Sequence, residues 1–154
     1  MTDSRPEAAA TRSPRFRIRE ARLGELDAAA AVRARCWRES FGGIVPPEVL
    51  DNAEAWAPQE AERWASEMIT RGATYWIALD ADGEIVGVAH ADAASEPDAP
   101  ASLWLETLYV LDRAKGSWLA GALLHRAIGD EQPAYLWVIE GNERAVAFYR
   151  HHGF

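Results

Sequence analysis

The sequence predicts an α/β fold, a mixed and mostly antiparallel sheet with helices on both faces. Three observations predict it. Strand-like runs follow one another across "TYWIALDADGEIVGVAHADA", where Asp80 and Gly83 bring hairpin turn chemistry. Segments with helical spacing stand before and after that run. The chain then closes in the order strand, helix, strand, helix, which puts crossovers on a sheet that is otherwise antiparallel.

The elements follow in order. The first fifteen residues mix Pro, Ser, Ala and Arg without periodicity and are expected to be a disordered tail (1–15) ahead of one domain (16–154). "RFRIREA" alternates Phe16 and Ile18 against Arg15, Arg17 and Arg19, the pattern of a half-buried strand. Leu26, Ala29, Ala30, Arg33, Trp37 and Phe41 then fall on one helical stripe that stops at Gly42 and Gly43. Two further helical pieces are expected from "IVPPEVLDNAE" and from the stripe Ala61, Trp64, Ala65 and Met68. After the hairpin, "SLWLETLYVL" reads as a fourth strand and "LAGALLHRAIGD" as a helix turning Leu119, Leu123, Leu124, Ala127 and Ile128 inward. Ala134 to Ile139 are apolar throughout, as in a central strand covered on both faces, and the last helix runs from near Asn142 to near Gly153.

Composition narrows the function classes. With 154 residues the chain makes one domain that buries on the order of 68% of its unfolded surface. No apolar run approaches the ~20 residues of a membrane helix, so no membrane partner is expected. A net charge of −8 gives no support to nucleic-acid binding, which needs clustered Lys and Arg, and favours cationic acceptors such as amines. The single Cys36 excludes an intrachain disulfide and fits a reducing, cytoplasmic compartment. His90, His125, His151 and His152 lack metal-ligand spacing, so no metal is expected; His90 is expected to be a packed, satisfied core residue.

Chemistry concentrates in "LYVLDRAKGSWLAGALLHRAIGD", a strand leading through a glycine-bearing loop into a helix. The first amides of such a helix are unpaired and its dipole is positive there, which suits an anion. A P-loop is ruled out because Ala122 and Leu123 stand where Lys and Ser or Thr are needed, and a dinucleotide fingerprint fails at Trp118. Trp118 itself is expected to be a core residue at the helix start.

The stretch from Phe16 to Phe154 resembles the GNAT superfamily of N-acetyltransferases. The family's phosphate loop, Q/R-x-x-G-x-G/A, falls on Lys115, Gly116, Ser117, Trp118, Leu119 and Ala120, with tryptophan in place of the central glycine. The family's N-x-x-A-x-x-F-Y-x-x-x-G-F signature is met by Asn142, Ala145, Phe148, Tyr149, Gly153 and Phe154. "RCWRESFGGIVPPEVL" is similar to a bacterial subgroup.

The resemblance implies acetyl-CoA as cosubstrate. Its diphosphate would lie on the amides of 115–120, Trp118 donating its N–H if φ stays negative and the indole turns away. Pantetheine would lie along Leu108 and Val110, with Asn142 either bonding it or capping the helix. Tyr149 would be the acid protonating the thiolate. Glu106, expected on one strand face with Trp104 and Leu108, would be the base, and Trp37 and Phe41 would line the cavity of a small-molecule or protein amine. Cys36, without a partner base, is not expected to be a nucleophile.

Family members usually continue past the G-F with two more strands. The domain is therefore expected to be C-terminally truncated, to form a homodimer over the exposed edge, or to be inactive. The alternative to the enzyme is a degenerate GNAT-fold module that binds CoA or a partner protein.

Overall fold

The computed structural model describes residues 15–130 and 133–154; the expected tail lies, apart from Arg15, outside them. Five strands form one sheet in the order β1-β2-β3-β4-β5: β1 (Arg17–Glu20), β2 (Trp76–Leu79), β3 (Ile85–Ala93), β4 (Leu103–Val110) and β5 (Ala134–Tyr135). The first three pairings are antiparallel and the last is parallel. The helices are α1 (Leu26–Phe41), α2 (Pro47–Ala55), α3 (Ala57–Arg71), α4 (Leu119–Ile128) and α5 (Glu143–His151).

The β2–β3 hairpin forms where the turn residues place it. Asp80 Oδ1 accepts from the amides of Asp82 and Glu84, both at 2.9 Å, and Gly83 takes φ 83°, a backbone region that favours glycine. Helix α3 ends as its sequence foretells: Gly72 is left-handed at φ 68°, and the amide of Ala73 closes on the carbonyl of Glu67 at 3.2 Å.

Two apolar clusters sandwich the sheet. On one side α1 and α3 bring Leu26, Ala29, Ala30, Ala61 and Trp64 onto Tyr75, Ile77 and Val88. On the other α4 brings Leu119 and Leu123 against Ala78, Ala89 and Val110, with Phe16 and Ile18 packed alongside. Gly87 permits this second contact, because a Cβ there would come within 2.8 Å of Leu123 Cδ1.

One expected element is corrected. Only Ala134 and Tyr135 of the expected central strand pair with a neighbour, opposite Leu103 and Trp104, and β5 is an edge strand. Beyond those two residues it diverges from β4, so the apolar run is not covered on both faces and Trp137 is 76% exposed. From Leu105 to Val110, β4 has a strand partner on its β3 side alone among the described residues.

Candidate functional site

The loop between β4 and α4 is tied to the end of α1. The amide of Asp112 donates to Glu39 Oε1 at 2.7 Å, and Lys115 Nζ donates to Ser40 Oγ at 3.0 Å while pairing with Asp112 Oδ1 at 2.8 Å. Gly116 then turns at φ 79°, where a side chain would be strained. Ser117 Oγ donates to the carbonyl of Ala114 at 2.7 Å and accepts from the amide of Leu119 at 3.2 Å. The amides of Gly116, Ser117, Trp118, Ala120 and Gly121 meet no acceptor among the described residues. Unpaired amide donors at a helix start are the groups that an anion would need.

Trp118 fits this loop without strain. Its φ of −74° and ψ of −7° suit any residue. Its indole makes an edge contact with Phe16, ring centroids 5.9 Å apart, and is 46% exposed. It is therefore not the core residue expected: helix α4 starts at the rim of the sandwich, where a large ring has a partner on one side only.

The end of α5 reaches the same place. A Cβ on Gly121 would sit 3.0 Å from His152 Cε1, so the first turn of α4 is small because an imidazole lies against it. Asn142 caps α5, its Oδ1 accepting from the amide of Ala145 at 3.2 Å. Tyr149 is half-buried between Phe148 and Phe154, at 5.1 and 5.6 Å. Burial pushes its phenol well above the ordinary range, and the neighbouring Tyr109 phenol adds to the shift. The group is a proton donor at neutral pH.

Glu106 is displaced from its expected face. The register of β3 and β4 slips between His90 and Ala91, opposite Thr107 and Leu105, so Glu106 is the extra residue of a bulge. Leu108 packs in the α4 cluster, whereas Glu106 turns toward α3, where its Oε1 accepts from Arg63 Nη2 at 2.9 Å. Arg63 also binds Glu60 and Glu67, at 2.5 and 3.0 Å.

Beside this network lies a cavity of about 280 Å³ between α1, α2 and α3, with Arg33, Trp37, Asn52, Trp56 and Glu60 in its wall. Trp37 faces it; Phe41 lies buried behind, in edge contact with Trp37 at 5.4 Å. Arg33 lies over Trp37 at 4.6 Å and over Tyr109 at 5.8 Å, linking the cavity to the phenol beside Tyr149. Cys36 is buried, and burial pushes its thiol up to about 12, so it is no nucleophile at neutral pH.

The model of the acetyltransferase (GNAT) family matches residues 31–154. The chain belongs to that family. A probable N-acetyltransferase of Mycobacterium tuberculosis is 29% identical over 143 residues, covering 90% of this chain and 79% of its own length. Among solved structures, PaiA N-acetyltransferase from Thermoplasma acidophilum, in complex with coenzyme A, superimposes with a TM-score of 0.71 at 18% identity, covering 91% of this chain and 89% of that one. A predicted acetyltransferase from Clostridium acetobutylicum with acetyl-CoA gives 0.65 at 14%, covering 91% and 90%. These two likenesses establish the fold.

For this GNAT chain, sequence analysis did not single out Tyr109, Arg33 or Glu60 as site residues. Arg33 carried a signal, a charge on the apolar stripe of α1. Tyr109 carried none, because nothing in its own stretch of strand reports that its phenol acts on Tyr149, forty positions away.

Proposed function

We propose that this protein transfers an acetyl group from acetyl-CoA to a primary amine by direct attack in a ternary complex. The observation that carries the proposal is the cradle of five unpaired amides from Gly116 to Gly121, set beside the unpaired edge of β4. The diphosphate binds the amides, with Trp118 donating its N–H and its indole resting on Phe16. Pantetheine then runs along Leu108 and Val110 as an added edge, reaching the bulge at Glu106.

There the amine, held in the cavity of Trp37, Trp56 and Glu60, attacks the thioester carbonyl, and strand amides receive the oxyanion. Glu106 is the proposed proton acceptor. Arg63 orients it through Oε1, and Oε2 has no partner among the described residues. Tyr149 protonates the departing thiolate, and Asn142 caps the helix through Oδ1, which leaves its side-chain nitrogen as a donor for the cofactor.

The test is release of free CoA thiol from acetyl-CoA across a panel of amines. Amine-dependent release that falls in Tyr149→Phe is expected. Cofactor binding without release across the panel would overturn catalysis and leave a CoA-binding module. The backbone of Trp118 permits cofactor binding under either reading, so release of thiol is what separates them.

A further inference from the structure

His90 is 1% exposed and its Nε2 is buried without a hydrogen-bond partner among the described residues. The residue is packed as expected, but it is not satisfied. Its Nδ1–H donates to the carbonyl of Thr74 at 2.7 Å, because a carbonyl only accepts; in the neutral imidazole Nε2 then presents a lone pair. Tyr75 stacks on the ring at 4.0 Å and 17°, fixing its plane. That lone pair is aimed at Asp92, whose Oδ2 lies 3.8 Å away, a contact that two unprotonated acceptors do not favour.

We propose that Glu67, His90 and Asp92 form a site for a divalent cation of the zinc class, where the end of α3 meets β3. One ligand atom from each lies within 4.8 Å of the others. An imidazole whose far N–H is held by a backbone carbonyl is the arrangement that orients metal-bound histidines. One nitrogen and two carboxylates suit Zn²⁺ over Mg²⁺ or Ca²⁺, which take oxygen ligands, and three protein ligands leave a fourth position for water.

A cation already occupies this charge. Arg71 Nη2 lies 2.5 Å from Asp92 Oδ2 and 3.8 Å from Glu67 Oε2, and its side chain, 50% exposed, is free to swing outward. Bonds of ~2.0–2.2 Å then require the two carboxylates to close in. Both sit at the rim, 20% and 23% exposed; to close in, Glu67 must exchange the bonds that Oε2 accepts from the Tyr75 hydroxyl at 2.5 Å and Oε1 from Arg63 at 3.0 Å for the metal. A bound metal would clamp α3, the helix whose Arg63 holds Glu106, onto the sheet.

The test is calorimetric titration of the tag-free, chelator-treated full chain with Zn²⁺, read together with elemental analysis and nitrogen NMR of the imidazoles. One Zn²⁺ per chain is expected, not displaced by Mg²⁺. The His90 Nε2 resonance should move on addition while Nδ1 keeps its proton. Asp92→Asn, a rim substitution with far-UV circular dichroism as its check of folding, should weaken binding by roughly tenfold or more. Arg71→Ala should tighten it by removing the competing guanidinium. Absence of binding would overturn the site, as would a His90 protonated on both nitrogens and insensitive to Zn²⁺. Binding that ignores Asp92→Asn and is lost in His151→Ala with His152→Ala would also overturn it.

Discussion

The α1–α3 side of the sheet and the C-terminal third of the chain are built to different standards. On the first, Trp64, Tyr75 and Ile77 are fully buried, the rings of Trp64 and Tyr75 stack at 4.8 Å, and Glu60, Arg63, Glu67 and Glu106 knit helix to strand. In the second, β5 pairs through two residues, α5 has no fully buried residue and Trp137 stands 76% exposed. Yet the cradle and Tyr149, the parts proposed to handle the cofactor, lie in or beside the second. Apart from the buried leucines of α4, the C-terminal third leaves unpaired the groups that the α1–α3 side commits to packing and ion pairs. A backbone amide already bonded inside the protein has nothing to give a ligand.

The largest effects are expected at one tryptophan and one phenol. Trp64→Ala should cost about 3–5 kcal/mol in denaturant unfolding, because it empties the core and removes the bond that the indole donates to Glu60 at 3.1 Å. Tyr149→Phe should lower kcat about 100-fold with KM for acetyl-CoA little changed, since the ring contacts remain and only the proton donor is lost. A loss of folding stability equal to that of Trp64→Ala would put Tyr149 in the scaffold and erase the contrast.

Smaller effects sharpen it. The Arg19 guanidinium, through paired bonds at 2.8 and 2.7 Å, holds Glu25 down to about 2, against burial, which pushes the carboxyl up. Because the folded value lies below the unfolded one, this contribution is present above an ordinary value near 4.5 and lost as pH falls toward 2. The pair is partly solvated, so Glu25→Gln should cost no more than about 1 kcal/mol at pH 7 and clearly less at pH 2, in urea melts at the two pH values. Trp137→Ala should change stability by less than about 0.5 kcal/mol. Trp118→Gly should leave acetyl-CoA affinity unchanged, because the indole rests on Phe16 and already clears the cradle; tightening would show that it obstructs.

The sheet's first four strands and the helices were legible because their signals are local: an Asp-Gly turn at 80–83, stripes at helical spacing, a glycine after Arg71. The C-terminal strand was not. The run "AYLWVI" reports only that its residues are apolar, and pairing depends on whether β4 stays alongside. The bulge at Glu106 was equally hidden, since one extra residue in a strand alters no composition yet turns a carboxylate from one face to the other. Asn142 could be read both ways from sequence, and the cap is the role the geometry displays. Lys115 to Ala120 were placed by motif alone, and the amides from Gly116 to Gly121 that lack acceptors among the described residues are a property of the folded loop. His90 misled for a related reason: burial is written in the flanking residues, but the lone pair left over is settled only by which carbonyl takes the other nitrogen.

The most direct measurement of the central claim is a calorimetric comparison of acetyl-CoA with S-acetylpantetheine, which carries the same thioester without the diphosphate. Saturable one-to-one binding of acetyl-CoA is predicted, with the truncated thioester weaker by roughly tenfold or more, or about 1.4 kcal/mol. Equal affinity for the two, or no binding of acetyl-CoA at millimolar concentration, would contradict it.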